Sequence, residues 1–494
     1  MYHRKAWEQI TMYDFNQGFG FPISEDNRWV QLSKKIPWDE AEGLYAEKFT
    51  RGNGPGTGNV ALPFRTALGA LIIRRVLGLS DRGTVKSIQE TPCLQYFLGF
   101  PRYEDKPPFD PSMMVHFRER LDLDAMGAIT DLVIAFEKKT AAAGKQAGTG
   151  KGQPHVPDAG ALGASMAAAA AAVAAGVMLG AKSRQEAYIL GGGGKAGTLI
   201  VDATCCPVNI RYPQDISLLN EAREKLEAML DRICREHGQK KPRTYCRVAR
   251  KEYLALAKAR KKGKKQVRHV VRILLNCVAR NTRYIRSFLG KGFTLTAKET
   301  AQMGTIQELY RQQKHMYDKK VHRVDQRIVS LHMPFIRPIV RGKVPEPVEF
   351  GPKMDLSVDA DGNSRVEFYS YEAYNESSHL VDAIETYRKR TGRYPERVLA
   401  DTIYRKRENR KYCQCRGIRM SGPRLGRPLA DQVKAGAAKQ AEKKDMVDRI
   451  EVERRFSREK RCFGLDKVWE KKEDTVGSSV ALGVLLDNLV PAGF

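Results

Sequence analysis

Two short apolar runs, each stopped by an aspartate, constrain this chain more than any other feature: Leu199–Asp202 (LIVD) and Arg397–Asp401 (RVLAD). Each reads as a short buried strand that delivers an acid at its end. A long stretch parts them, and most of it reads as helix. A sheet built from both strands must therefore be assembled from pieces separated by a helical insertion, which makes the fold class α/β. The first run continues into Cys205 and Cys206, so the chemistry there belongs either to one carboxylate or to two thiols.

The sequence on either side supplies the rest of the frame. From Leu62 to about Leu121 apolar residues recur at helical spacing, with turns at Gly78-Leu79-Ser80 and around Pro107-Pro108, which predicts a compact all-helical unit. Between Lys138 and Lys195 the composition falls to Ala, Gly and Lys, the mark of a tether. Within it Gly160–Ala181 is uncharged and long enough to cross a bilayer, but it is mostly alanine and lacks aromatic belts, so it reads as a linker helix. After Pro213, with Asp215 as the expected N-cap, Leu218, Leu219, Ala222, Leu226, Met229, Leu230 and Ile233 share one side of an amphipathic helix. Helical signal runs on to about Leu331. After Pro334 the period changes to two, with a hairpin turn over Asp359–Asn363, and a helix from His379 to Arg390 leads into the second acid-bearing strand. A last helix is expected from about Asp445 to Cys462. The units expected are thus 1–137 (helical N-terminal), 138–197 (linker), 198–215 (first part of the core), 216–333 (basic helical insertion) and 334–494 (remainder of the core).

Charge narrows the partner. The chain of 494 residues carries 85 Lys and Arg against 57 Asp and Glu, a formal net charge of +28. Such an excess points to a polyanion, and nucleic acid first. The excess is spread widely along the chain, and in Ala249–Arg286 cations interleave with apolar and aromatic residues, which reads either as a solvated helix face or, given the overall charge, as a surface that tracks phosphates. Nine cysteines without a C-x-x-C pair, behind a polar N-terminus, suit reduced thiols in a cytoplasm.

Several motifs fail on inspection. GGGGKAGT (191–198) lacks the adjacent Gly-Lys-Ser/Thr of a phosphate loop, and DADGN (359–363) has Ser364 and Ser370 where a calcium loop needs Gly and Glu. Cys205 and Cys206, adjacent on a strand, point to opposite faces and have no partners at zinc spacing. Three carboxylates remain: Asp202 and Asp401 at strand ends, where α/β sheets bind ligands, and Glu453 inside the last helix. Singly, the aspartates also read as caps or turn residues, and Glu453 as the partner of Arg449 one helical turn earlier. Together, on a basic protein, they call for a divalent cation between acid and phosphate. Mg²⁺ takes oxygen ligands from carboxylates and substrate phosphates, and a pair of such ions serves phosphodiester chemistry.

At these residues the chain resembles the DDE-class transposases of bacterial insertion sequences. The resemblance is carried by GTLIVDATCCPVNIRYPQDISLLNEAR, by YPERVLADTIYRKRENRKYC with GIRMSGPRLGRP, and by RIEVERRFSREKRCFGL. Upstream, LGLSDRGTVKSIQETPCLQYFLGF and FDPSMMVHFRERL are similar to the helical domain that precedes that family's core. The resemblance implies a ribonuclease-H-like mixed sheet whose Asp202, Asp401 and Glu453 bind Mg²⁺, two ions with Mn²⁺ as a substitute. The helix signature Y-x₂-R-x₃-E-x₆-K is met by Arg449, Glu453 and Lys460, with Met446 in the tyrosine's place. Arg449 and Lys460 would contact DNA. The expected activity is binding of terminal inverted repeats, cleavage at the element's ends and strand transfer, by a homodimer or larger assembly on double-stranded DNA, in the cytoplasm with the nucleoid and with no membrane partner. A nuclease on the same fold would use the same acids, and a decayed, non-catalytic DNA-binding protein would keep only the binding. The insertion would hold DNA, form a dimer, or simply pack within the chain through Ile306, Leu309, Tyr310, Met316, Val321, Val324, Ile328 and Leu331.

Overall fold

A computed structural model describes residues 23–49, 61–147, 195–340, 348–423, 426 and 432–490. The alanine-rich segment 160–181 and the glycines of 191–194 lie outside the described residues.

The five-stranded sheet is mixed. Its strands are β1 (Thr198–Cys205), β4 (Lys353–Val358), β5 (Ser364–Ser370), β6 (Arg397–Ala400) and β7 (Arg419–Met420), in the order β5-β4-β1-β6-β7. β4 runs antiparallel to both β1 and β5, whereas β6 and β7 run parallel to β1. The β4–β5 hairpin closes on Asp359, whose carboxylate accepts from the backbone of Asp361 and Asn363, and Gly362 supplies the positive φ of 85° the turn requires. A separate two-stranded ribbon, β2 (Pro338–Val340) with β3 (Val348–Phe350), precedes β4.

Strand alternation sends two sets of side chains to opposite faces. Leu199, Val201, Val398 and Ala400 pack with Leu380, Ile384 and Tyr387 of α12 (Leu380–Thr391). Ile200, Leu356 and Leu399 face the other way, toward Val452 of the long helix α14 (Gln432–Phe463) and Val476, Val480 and Val484 of α15 (Glu473–Leu489). After Thr198, β1 runs through this double packing on apolar residues alone until Asp202.

The N-terminal helices are α1 (Arg28–Lys35), α2 (Trp38–Glu47), α3 (Phe64–Val76), α4 (Asp81–Glu90), α5 (Pro92–Phe97), α6 (Met113–Arg120) and α7 (Leu123–Ala147). Their core is completed from the far end of the chain: Leu482, Leu485, Leu486 and Leu489 of α15 are buried among Phe64, Leu68, Leu71 and Phe117. From Thr475 onward helix α15 has almost no solvent face, and its residues there are mostly apolar, with Asp487 as the one buried charge. One side closes the helical core and the other, at Val476, Val480 and Val484, covers the sheet. Each such leucine, fully buried, is worth about 1.5–3 kcal/mol. Arg75 fixes the junction by donating to the carbonyls of Phe463 and Ser479, at 2.9 and 3.2 Å.

Between β1 and β2 stand four helices: α8 (Asp215–Glu236), α9 (Cys246–Lys258), α10 (Lys264–Leu289) and α11 (Ala297–Lys319). The amphipathic side expected for α8 is buried against α10, and Ile306, Leu309, Ile328 and Leu331 join the same cluster, so most of the apolar repeat packs within the chain. Val321 is the exception, 41% exposed. Helical signal was expected to reach Leu331, but α11 ends at Lys319, capped by Lys320 in the left-handed region. Asp215 is not the cap of α8. Gln214 caps it, and Asp215 instead accepts from Gln313 and Arg327, at 2.8 and 2.7 Å, tying α8 to α11 and its following loop.

Candidate active site

The sheet register brings the first two acids together. Val201 pairs with Ala400 across the parallel β1–β6 ladder, and one step further along lie Asp202 and Asp401. Asp202 shares its face with Ile200, the α14 side, and sits opposite Leu356 of β4. Asp401 follows the last residue of β6 with extended backbone, and its carboxylate caps the next turn by accepting from Thr402 N–H at 2.6 Å. The capping expectation is met by this side chain, and an exposed carboxylate keeps acceptor capacity to spare beyond that one bond.

The third acid arrives on α14. Asp445, almost wholly buried, pins that helix to the sheet: Arg397 of β6 donates to it at 3.0 Å, and Arg419 of β7 forms a second ion pair with it. Arg397 also pairs with Asp448 at 2.6 Å. One turn later Val452 is buried beneath the helix, which sets Arg449 and Glu453 at its edge above Asp202; that acid lies within β1 rather than at the strand end expected, because β1 continues, paired with β4, to Cys205. Arg449 donates to Glu453 at 3.0 Å and approaches Asp202 Oδ2 at 3.5 Å. A single guanidinium thus bridges the first and third acids. The expected pairing of Glu453 with Arg449 is present, and it is the same contact that links Glu453 to Asp202.

The electrostatics mark Asp202 as the centre. Burial first, with the negative charges of Glu376 and Asp401 adding, brings its carboxyl up to about 6 against the opposing N–H of Ala203 and charge of Arg449. Two acids that the sequence reading did not single out belong to this neighbourhood. Asp355 of β4 is 1% exposed, and burial pushes its carboxyl up to about 7, with Glu376 and Asp202 adding. Its Oδ1 accepts from Tyr374 at 2.7 Å, while Oδ2 is buried with no partner among the described residues. Glu376 pairs with Lys353 at 2.6 Å. The signal for Asp355 lay in KMDLSV, an acid within an otherwise buried strand, where unpaired carboxylates are rare. Glu376 left no such signal.

The thiols stand apart from this chemistry. Cys205 and Cys206 are both buried, and burial pushes the Cys206 thiol up to about 12 and the Cys205 thiol higher still. Lys460, two turns beyond Glu453, lies close enough that its charge partly opposes that rise at both thiols. Burial thus keeps both as neutral thiols at neutral pH, which makes neither a ready nucleophile.

The carboxylates around Asp202 are donors of the kind a hard divalent cation takes, oxygen only and crowded with like charge. Among the described residues no group of three or more His, Cys, Asp or Glu side chains is arranged to hold an ion as it stands. Arg449 is the cation that joins Asp202 to Glu453.

Comparison with known families agrees with this geometry. Residues 398–490 match the family described as Transposase DDE domain, a stretch that contains Asp401 and Glu453, and residues 21–120 match the one described as Transposase domain (DUF772). No curated protein and no solved structure matches the chain. A catalytic DDE domain behind a transposase-specific helical domain defines the class of a DNA-transposing enzyme. The chain belongs to the DDE-class transposases of insertion sequences. Among the described residues no helix is long and apolar enough to cross a membrane.

Proposed function

We propose that this transposase binds the terminal inverted repeats of its own element, cuts the DNA at their ends and joins the freed 3′-hydroxyls to target DNA, on a ribonuclease-H-like core. The observation that carries the reading is the convergence on Asp202: Asp401 one residue beyond the last pair of the parallel ladder and Glu453 joined to it through Arg449. The strand order, with three antiparallel strands followed by two parallel ones around a central β1, supports the core assignment.

Asp202, Asp401 and Glu453 would hold Mg²⁺, or Mn²⁺ in its place, in a two-ion site; the ions would supply a bound water of lowered pKa and charge neutralisation at the scissile phosphate. The chain's own residues then position the DNA. Arg449, between the acids, and Lys460, further along the same helix edge, are the cations available to phosphates flanking the cut. In the first step water attacks phosphorus and the 3′-oxygen leaves; in the second that 3′-hydroxyl attacks a target phosphate and displaces another 3′-oxygen. The DNA supplies the nucleophile for joining, so no covalent enzyme intermediate is needed. The domain division follows the sequence: a helical N-terminal unit reads the ends, the basic insertion and the core hold the duplex, and two or more copies assemble on paired ends in the nucleoid-bearing cytoplasm.

The test is cleavage of a duplex bearing the element's ends, with Mg²⁺ and with chelator. Asp202→Asn, Asp401→Asn and Glu453→Gln are each expected to abolish cutting while end binding is kept. Metal-dependent cutting retained by any one of them removes that residue from the site.

A further inference from the structure

Between Cys246 and Gly290 the sequence carries fourteen Lys and Arg and one acid, Glu252, nearly half of the chain's excess of +28. The structure sorts these cations. On α10 the buried side is Val270, Leu274, Val278, Asn281 and Ile285, packed against α8. At 3.6 residues per turn, Lys265, Arg272, Arg280, Arg283 and Arg286 all fall within about 120° of arc on the opposite side. Four of the five are exposed and Arg280 is partly so, and none forms an ion pair with a carboxylate among the described residues. From Lys265 to Arg286 this stripe extends roughly 30 Å, close to the ~34 Å of one duplex turn.

A second observation at its flank points the same way. Tyr245, the N-cap of α9, is 46% exposed and holds a left-handed backbone at φ 56°, a conformation that costs a bulky residue energy and persists only where the surroundings enforce it. Its ring carries two guanidinium groups, Arg243 and Arg280, each 4.6 Å from the ring centroid. The ring holds both cations without neutralising either charge; Arg280 donates through Nη2 to Cys277 Sγ at 3.3 Å, and the other guanidinium N–H groups make no bond to a carboxylate among the described residues.

We infer that the α9–α10 face is a duplex-DNA-binding surface, separate from the carboxylate site, that grips the phosphate backbone over about one helical turn, with Arg243, Tyr245 and Arg280 as a preset phosphate clamp. This rests on the transposase reading for its ligand. An acidic protein would satisfy the charge but has no reason to match a straight cationic stripe of this length.

The experiment is fluorescence anisotropy of a labelled 40-base-pair duplex of arbitrary sequence with the full chain, in chelator, across a range of salt concentrations. The variant Lys265→Gln/Arg272→Gln/Arg283→Gln is expected to flatten the slope of log K against log salt by about 2.7, three contacts at about 0.9 each. A control removing three lysines of α11, Lys298→Gln/Lys314→Gln/Lys319→Gln, is expected to change it by less than about one contact. Tyr245→Ala, which removes no charge, is expected to flatten the slope by about one to two contacts, and Tyr245→Phe to leave it unchanged. Arg272→Lys/Arg283→Lys retains the slope if charge at the face is what matters, and guards against misfolding. Equal losses in the ridge and control variants, or an unchanged slope in the ridge variant, overturn the inference while leaving the carboxylate site standing. A wild-type chain that binds no duplex overturns both.

Discussion

Removing the central acid should make the metal-free protein more stable, and only above a definite pH. Burial and neighbouring carboxylates raise Asp202 from 3.8 to about 6. The folded chain therefore holds that proton more tightly than the unfolded one. Below about pH 4 the group is protonated in both states and costs nothing. As pH rises through the window from about 4 to 6 the unfolded state releases its proton first, so stability falls, and above about pH 6 the native state bears the full penalty. A shift of this size corresponds to about 3 kcal/mol. Asp202→Asn removes the charge and keeps an acceptor for the N–H of Ala203, which bonds Asp202 at 2.8 Å. The variant should exceed the wild type by up to about 3 kcal/mol at pH 7.5 in chelator, with the difference gone at pH 4. Because a chain with several cores need not unfold in one step, the readout is local: urea-dependent hydrogen exchange of peptides covering residues 198–205. Saturating Mg²⁺ should then raise the wild type and not the variant, since a ligand stabilises only what binds it. A variant less stable at pH 7.5, or a difference that does not change with pH, refutes the reasoning.

Two further outcomes follow from the same contacts. Arg449→Gln frees Asp202 and Glu453 from their shared guanidinium; a unit charge about 4 Å away in a water-like medium is worth about 1 kcal/mol, so calorimetric Mg²⁺ affinity without DNA should rise about fivefold. An unchanged or weaker affinity would mean that Arg449 does not compete for the acids. Asp445→Asn leaves Arg397 and Arg419 without their buried partner and should cost on the order of 3 kcal/mol, with cleavage lost and the salt dependence of duplex binding kept; a thermal melt and the anisotropy titration check the two halves separately.

What the sequence made legible was whatever short-range pattern encodes. The strand Arg397–Ala400 has the bounds expected, the Asp359–Asn363 turn is a hairpin turn, and every residue spaced for the core face of α8 is buried. The helix signature carried Arg449 and Glu453, four residues apart, onto one edge. Its contact with Asp202 was not legible, because the two residues are 247 apart and meet only once α14 has docked on the sheet. The start of α14 was also missed. It begins at Gln432 rather than near Asp445, because QVKAGAAKQAEKK has no apolar periodicity and is helical by alanine and lysine propensity alone. Asp215 misled for a related reason: an aspartate after a proline-containing loop looks like a cap, and only the tertiary structure shows Gln313 and Arg327 claiming it.

The position of Glu453 is set from both ends of the chain. On its N-terminal side Asp445 and Asp448 bind α14 to β6 and β7. On its C-terminal side Arg455 and Arg458 reach Asp487 of α15, at 3.1 and 3.3 Å, and Asp487 in turn accepts from Ser364 of β5. Helix α15 itself is held by the N-terminal helices, whose core it completes. A carboxylate on a helix edge, 53% exposed and with no packing of its own, is thus fixed by anchors in the sheet and in the helical N-terminal region at once. The two stretches matched by transposase families are for this reason one mechanical unit: the helices of the first hold the helix on which the third acid of the second is carried.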